Sequence, residues 1–380
     1  MGVQRMLRGI FRLLGDAGVP VRWDYLFRRY SRLSARERRL LEDPFAGYRA
    51  PSIAPELLET AGTAGSLWDG LTRAGRGILP ESLLGAEDTL LIPDVCWDRR
   101  VHEWKHLAAW PGRKVAYFHD AMPMRLPSRP GKPSRLFLKY MRELGRMDHV
   151  ICVSREVEAD LQNFWRREGV RPPATTVLPW PVPFSGAPPA SPPNFTARRI
   201  IYVARLKMRK NQPVLLEACE QLWREGHDFS LELFGTADVL TDTLRILSRI
   251  RQLRARGRRV AWRRHVSDGE LKQAYQECSF TVFPSKMEGF GLPVLESLWF
   301  GRPVICGRNG VLGEVSGQGG CLQIDQNNPQ ELATAMRRLL TDEDELKRLS
   351  QEARQRPFRI WADYGRDLAG VLGNGRKEVR

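Results

Sequence analysis

The sequence predicts an α/β protein with two doubly wound Rossmann-like domains that face each other across a cleft. Three observations lead to this prediction. Short apolar runs alternate with longer amphipathic segments, which is typical of parallel strands joined by helices. A proline-rich segment, residues 179–193, separates two such series. The length of 380 residues is enough for two domains that each bury a core.

Composition narrows the class of protein. The chain has 42% hydrophobic residues and a formal charge of +16, and its six cysteines include no CxxC pair, which favours a globular protein with reduced thiols. No apolar run approaches the roughly 20 residues of a membrane-spanning helix. The N-terminus is rich in arginine and unlike a secretory signal, so the sequence predicts a cytoplasmic protein.

The first series predicts a domain over residues 1–180. Its strands are expected at 89–94, 114–120 and 149–154, and its helices at 98–109, 132–146 and 155–167. Ser154 is the expected N-cap of the third helix, because a serine before first-turn acids satisfies the free amides there.

The second series predicts a domain over residues 196–356, after a linker at 181–195 whose prolines exclude a helix or central strand. Its strands are expected at 199–205, 230–235, 259–263, 280–285 and 302–307, and its helices at 211–225, 238–256, 268–277 and 293–300. A last helix within 357–380 is expected to pack back across the junction between the domains.

The segment 284–304 holds the densest chemical signal. A strand end is followed by a loop with Gly289 and Gly291 and then by a helix, and such a loop presents amides at a positive helix N-terminus that suits phosphate. Glu288 on the loop and Glu296 in the helix could face one ligand, although a glycine-rich turn with two solvated acids fits this segment too.

A second candidate is the turn that holds Arg205 and Lys210. Two cations on one strand-to-helix loop can neutralise a diphosphate, the arginine by a bidentate fork and the lysine as a point charge. By itself this pattern is weak, because basic residues on loops are usually solvated.

Together the two motifs resemble the retaining family 4 (group 1) glycosyltransferases of the GT-B fold. The E-x7-E motif of that family reads here from Glu288 to Glu296, and its R-x4-K pair reads Arg205 and Lys210. The resemblance implies that Arg205 and Lys210 bind the donor pyrophosphate, that Glu288 contacts the transferred sugar and that Glu296 binds the ribose. It also implies donor contacts for the loop residues Gly289, Phe290, Gly291 and Leu292.

The same family ends one strand of its first domain in His-Asp. Here that pair is His119 and Asp120, so the resemblance implies that His119 contacts the donor sugar or reacting centre and that Asp120 lies on the acceptor side. Gly2 resembles the glycine loop before the first helix and is a further acceptor-side candidate. The strand that should precede this loop is missing, which predicts a late start or an incomplete domain.

Two positions depart from the family pattern and bear on recognition of the nucleotide base. The usual Gly-x-Gly after the second strand of the second domain reads Gly235-Thr236-Ala237, and a position expected to be glycine reads Arg264.

No metal or other cofactor is expected. The acidic triplet Asp342-Glu343-Asp344 follows Thr341 and is interpreted as a capping box that opens a helix, in contrast to the metal-binding DxD of other glycosyltransferases. Nine arginines and no acid lie between Asp242 and Asp268, and the basic helix 3–14 is amphipathic. An anionic membrane surface, a soluble basic face and nucleic acid are all compatible with this charge, although no nucleic-acid motif accompanies it.

The resulting functional hypothesis is a retaining hexosyltransferase. It would move a sugar from a nucleotide-sugar donor to a glycan or lipid-linked acceptor in bacterial polysaccharide or glycoconjugate synthesis, at the inner face of the plasma membrane. The alternatives are a catalytically impaired nucleotide-sugar-binding protein with the same fold, a sugar-nucleotide epimerase and a phosphorylase.

Overall fold

The chain divides into two compact units, Met1–Trp180 together with Trp361–Arg380, and Pro181–Ile360. The computed structural model describes residues 2–15, 18, 21–24, 29–33, 38, 85, 87–96, 98–125, 134–184, 188–189, 196–237 and 241–373. None of the helices formed by these residues combines the length and apolar character that crossing a membrane requires.

The strands of the first unit are β1 (Val21–Asp24), β2 (Arg29–Arg32), β3 (Thr89–Ile92), β4 (Arg113–Phe118), β5 (His149–Cys152) and β6 (Ala174–Val177). Four of them form a parallel sheet in the order β3-β4-β5-β6. A separate antiparallel pair is formed by β1 and β2. The helices of this unit are α1 (Gly2–Leu14), α2 (Met122–Arg125), α3 (Arg135–Leu144), α4 (Arg155–Glu168) and the C-terminal α12 (Trp361–Gly373).

The core of the first unit lies around β4, which is buried on both faces as expected of a central parallel strand. Helix α12 packs here, because the hydroxyl of Tyr364 lies 2.6 Å from that of Tyr117. Helix α1 also contacts α12. A Cβ added at Gly9 would lie 1.9 Å from the Trp361 ring, so only glycine lets the helices approach this closely.

The strands of the second unit are β7 (Arg199–Val203), β8 (Ser230–Phe234), β9 (Val260–Arg263), β10 (Phe280–Phe283), β11 (Val304–Gly307) and β12 (Cys321–Ile324). They form a parallel sheet in the order β12-β11-β10-β7-β8-β9. The helices of this unit are α5 (Gln212–Arg224), α6 (Thr241–Ala255), α7 (Asp268–Glu277), α8 (Leu292–Trp299), α9 (Val311–Ser316), α10 (Pro329–Thr341) and α11 (Glu343–Gln355).

The strand order of this sheet brings together segments that are distant in sequence. Strands β7 and β10 are direct neighbours in register, with Phe280 opposite Ile200. Because parallel strands end at the same edge of a sheet, the loops after Val203 and Phe283 come to lie side by side. The candidate residues of both sequence motifs follow these two strands.

Most predicted elements are present, with several differences. The segment predicted as one helix at 98–109 forms two 3₁₀ turns, Arg99–His102 and Trp104–Ala109. The side chain of Ser154 caps α4 as predicted, accepting from the amide of Val157 at 3.2 Å. Elements that the sequence pattern did not predict are β1, β2, β6, β12, α2, α9 and α10.

Part of the segment expected to be a linker is packed. Val182 and Phe184 are buried in the second unit with Phe300 and Tyr275, and the amide of Val182 donates to the carbonyl of Arg359 at 3.1 Å. Residues 185–187 and 190–195 of this segment lie outside the described residues.

Candidate functional site

The glycine-rich loop of the second unit runs from the end of β10 at Phe283 to the start of α8 at Leu292. Gly291 is the N-cap of α8 and has a φ of 92°, a conformation that favours glycine. A Cβ added there would lie 2.9 Å from the Leu312 side chain, which further restricts the position. Gly289 and Phe290 lie in this loop, and Leu292 is the first residue of the helix.

Lys210 and Glu288 form an ion pair between the two loops. The ammonium of Lys210 donates to Oε1 of Glu288 and lies 5.0 Å from the centre of the Phe283 ring. Both side chains are largely buried, with 11% and 9% of their surfaces exposed. Burial alone would raise the pKa of Glu288, but Lys210 and Arg209 outweigh it and hold that pKa below its ordinary value. The carboxylate is therefore ionised at neutral pH.

Arg205 lies on the same loop, and its side chain is exposed. Its carbonyl accepts a hydrogen bond of 2.8 Å from Nε2 of the Gln212 side chain, which joins the loop to the first turn of α5. Asn211, the N-cap of α5, has a φ of 61°, and its side chain donates to the carbonyl of Gln326. The side chain of Arg205 is thus exposed on a turn that the hydrogen bonds of Gln212 and Asn211 hold in place.

Glu296 lies one turn into α8 and is buried, with 4% of its surface exposed. Its Oε2 accepts a hydrogen bond of 2.9 Å from the hydroxyl of Tyr275, which is itself buried in the core. The two glutamates of the motif therefore have different partners, since Glu288 meets cations and Glu296 meets a neutral hydroxyl.

The two positions that depart from the family pattern follow β8 and β9. Gly235 has a φ of 144°, and a Cβ there would lie 2.3 Å from the carbonyl oxygen of Ala204. The carbonyl of Thr236 accepts from the amide of Leu206 at 2.9 Å, so this turn is bonded to the loop that begins at Arg205. Arg264 lies just beyond β9 and is exposed.

In the first unit, His119 lies just beyond β4 and is 4% exposed. Its ring lies nearly parallel to the rings of Tyr117 and Trp180, at centroid distances of 5.9 and 5.7 Å. Nε2 lies 2.7 Å from the carbonyl of Pro93, which can only accept, so Nε2 carries the proton. Burial lowers the pKa of His119 and keeps the ring neutral. Nδ1 is left as a buried acceptor with no partner among the described residues.

The two acceptor-side candidates also lie in the first unit. Oδ1 of Asp120 accepts from the amide of Met122 at 3.0 Å, which caps the short helix α2. Gly2 is the first residue of α1, so it begins the helix itself and not a loop before it.

The acidic triplet begins α11, as predicted, but the capping residue differs. Asp342 accepts from the amide of Glu345 at 2.9 Å, whereas the hydroxyl of Thr341 donates back to the carbonyl of Arg337. In the described part of the chain, no group of three or more His, Cys, Asp or Glu side chains is placed to hold a metal ion.

The structure thus brings Lys210 and Glu288 together and gives Glu296 a separate partner. Sequence reasoning missed Arg209 and Tyr275. Arg209 is one of 60 basic residues, so its type carries no signal. Tyr275 lies on the buried face of α7 and could have been placed only by knowing that α7 and α8 meet.

The family model of glycosyl transferases group 1 matches residues 188–356. Two Escherichia coli proteins are similar to this chain. The serotype-specific mannosyltransferase WbdA is 31% identical over 49% of this chain and 25% of its own length. The O-antigen chain mannosyltransferase B is 34% identical over 38% of this chain and 37% of its own. This chain thus spans about a quarter to two fifths of the length of these relatives.

Two solved structures are similar in fold. Sucrose-phosphate synthase from Thermosynechococcus elongatus has a TM-score of 0.62 at 20% identity and covers 75% of this chain and 72% of its own. Anabaena HepE in complex with UDP and glucose has a TM-score of 0.57 at 18% identity and covers 75% and 77%. The chain has the GT-B fold, and its residues 188–356 match the family model of the glycosyl transferases of group 1.

Proposed function

We propose that this chain is a retaining glycosyltransferase that moves a hexose from a nucleotide-sugar donor to a glycan or lipid-linked acceptor. The observation that carries the proposal is the pairing of Lys210 with Glu288 at the edge where β7 and β10 end. This ion pair brings the basic motif and the acidic motif of residues 188–356 into contact. One motif suits a diphosphate and the other suits sugar hydroxyls.

The leaving group determines what the basic motif must do. When the bond between the sugar carbon and the diphosphate oxygen breaks, negative charge grows on that oxygen, and a cation already in place lowers the barrier. Lys210 supplies a point charge in a largely buried setting, where charge is poorly screened. Arg205 supplies an exposed fork that can bind phosphate oxygens in a bidentate way. In this proposal the diphosphate needs no metal ion.

The acidic motif binds the two ends of the donor. The ionised Glu288 accepts hydrogen bonds from hydroxyls of the transferred sugar, and Glu296 accepts them from the ribose. The amides of Gly289, Phe290, Gly291 and Leu292 are the proposed contacts at the N-terminus of α8. Retention requires the acceptor oxygen to bond to the same face of the sugar carbon that the diphosphate leaves.

For the first unit we propose His119 as a catalytic residue. Its Nδ1 lone pair can accept a hydrogen bond from a substrate hydroxyl because no described residue occupies it. Asp120 and Gly2 are the acceptor-side proposals.

Mannose is the first candidate for the transferred sugar. Two of the similar Escherichia coli proteins are named as mannosyltransferases, one of them for the O-antigen chain. This supports a role in the synthesis of a bacterial polysaccharide.

We also propose an anionic membrane surface on the cytoplasmic side as the place of the reaction. Five arginines on or after α6 form no ion pair with another described residue, and Leu244 beside them is 59% exposed. They are Arg245, Arg251, Arg254, Arg258 and Arg264. In α1, by contrast, Met6 and Ile10 are buried within the first unit. Flotation at low salt should recover the full chain with anionic vesicles, and the Arg251→Glu, Arg254→Glu variant should float less. Equal recovery with neutral vesicles contradicts the proposal.

The function is tested with a panel of nucleotide sugars that includes GDP-mannose and UDP-glucose. We expect release of nucleoside diphosphate from one donor, faster when acceptor glycans are added, and a product whose anomeric configuration by NMR matches the donor. Binding of a donor without turnover would favour the impaired binding protein. Neither binding nor turnover across the panel would overturn the proposal.

A further inference from the structure

Arg209 lies between the two loops that form the candidate donor site. Its guanidinium donates to the carbonyl of Met287 at 3.1 Å, and the same nitrogen lies 3.6 Å from Oε2 of Glu288. The side chain is 30% exposed, so it reaches this position along the surface of the loop. Arg209 thus contacts both the main chain of Met287 and the side chain of Glu288.

The backbone of Arg209 strengthens the same junction. Its carbonyl accepts from the amide of Lys286 at 2.9 Å and from the hydroxyl of Ser285 at 3.3 Å. The loop from Ser285 to Glu288 is therefore held by three hydrogen bonds to Arg209 and by the ion pair of Arg209 with Glu288. A segment held at several points by short contacts keeps one conformation better than a loop held by a single side chain.

Arg209 also complements the charge of Glu288. Two cations face the buried carboxylate, and Lys210 contacts one oxygen while Arg209 lies near the other. In the proposed reaction Lys210 has a second partner, since the diphosphate competes for its charge. Arg209, as a second fixed cation, keeps the Glu288 carboxylate ionised and in place while Lys210 neutralises the charge on the departing diphosphate.

We propose that Arg209 is a positioning residue that holds the Glu288 carboxylate at the site of the transferred sugar by anchoring on the Met287 carbonyl. This inference rests on the proposed function, in which Glu288 contacts the sugar. It gives Arg209 no contact with the nucleotide. The E-x7-E and R-x4-K motifs include no residue for this task.

The test separates binding of the nucleotide from turnover of the sugar. Calorimetry with UDP and GDP measures the affinity of the diphosphate part, and donor turnover measures placement of the sugar. We expect Arg209→Gln to lower kcat by roughly ten- to a hundredfold, because a small misplacement of a contacting group costs that much. We expect its affinity for the nucleoside diphosphate to match that of the wild type.

Two further variants keep the result interpretable. Arg209→Lys retains the charge but can contact only one of the two oxygens, the Met287 carbonyl or Oε2 of Glu288. Its kcat should therefore lie between those of the wild type and Arg209→Gln. A variant that merely lost its fold would not show this partial rescue. Arg224→Gln, which removes an exposed arginine at the end of α5 in the same unit, should turn over donor like the wild type.

The inference is overturned if wild type and Arg209→Gln turn over donor equally, or if Arg209→Gln loses diphosphate affinity in proportion to turnover. The second result would make Arg209 a direct phosphate ligand. If the wild type neither binds nor turns over any nucleotide sugar, the proposed function itself has failed.

Discussion

Lys210 and Glu288 are 78 residues apart in sequence, and their side chains form a largely buried ion pair where the loops after β7 and β10 meet. One residue comes from the basic motif and the other from the acidic motif. The pair is energetically coupled, because removing either partner leaves the other charge buried without its main complement.

Replacing Lys210 by Ala should reduce turnover more than any other single change at this loop. The lysine is proposed to meet the charge that grows on the departing diphosphate, so its loss should raise the barrier for kcat/KM by about 2–4 kcal/mol. Steady-state kinetics with an accepted donor measures this.

The exposed Lys347, which pairs with Glu343 on α11, provides the control. Lys347→Ala should behave like the wild type. If Lys210→Ala and Lys347→Ala lowered kcat/KM by equally small amounts, the phosphate site would lie elsewhere.

The two glutamates of the motif should separate in their kinetics. Glu288→Gln removes the charge beside the sugar and should lower kcat more than donor affinity. Glu296→Gln should chiefly raise KM, because ribose hydroxyls carry the same charge in the ground and transition states. Tyr275→Phe removes the 2.9 Å hydrogen bond to Glu296 and should reproduce a weaker form of the Glu296 effect, about 1 kcal/mol. These roles would be contradicted if Glu288→Gln and Glu296→Gln changed kcat and KM in the same proportions.

The sequence was sufficient to place the motifs on loops but insufficient to pair them. Spacing puts Glu288 before α8 and Glu296 inside it, and the structure agrees. The partner of each carboxylate depends on two neighbour relations, β7 beside β10 and α7 near α8. Residue spacing along the sequence does not reveal which strands and helices become neighbours. Arg209 shows the limit most clearly, because an arginine on a loop of a basic chain has no distinguishing local pattern.

Missed strands have a similar cause. Strand β6 reads Ala-Thr-Thr-Val and lies at an edge of its sheet with no buried residue, so it lacks the apolar run by which central strands are recognised. The central strands β4 and β10 are mostly apolar and almost entirely buried, and both were predicted.

Gly235→Ala should destabilise the second unit. Its φ of 144° disfavours a side chain, and the added Cβ would meet the Ala204 carbonyl at 2.3 Å, so the free energy of unfolding should fall by about 1–3 kcal/mol. Donor affinity should fall too, because the same turn is bonded to the loop of Arg205. Thermal unfolding and donor binding measure the two effects. Gly269→Ala, in α7 where the nearest atom to the new Cβ is 3.8 Å away, is the matched control and should change little.

Acid should destabilise the protein in part through the buried His119. Burial lowers the pKa of its ring in the folded protein below the ordinary value of 6.5, which the unfolded chain keeps. Between the folded pKa and 6.5 the unfolded state binds more protons. Stability is therefore complete above about pH 6.5 and falls as pH drops below it, by at most about 1.4 kcal/mol per pH unit for one group. His149, whose pKa burial and Arg113 also lower, adds to the loss with the same sign.

His119→Gln should remove the His119 share of this loss and retain that of His149. Thermal midpoints measured between pH 7 and pH 5 should therefore fall less steeply in the variant than in the wild type. His149→Gln is the complementary variant, and it should remove the His149 share of the loss and retain that of His119. A slope in His119→Gln equal to that of the wild type would show that the ring is protonated in the folded protein as readily as in the unfolded chain. Nδ1 would then be reachable by protons, and the assignment of His119 as a neutral acceptor for a substrate hydroxyl would fail.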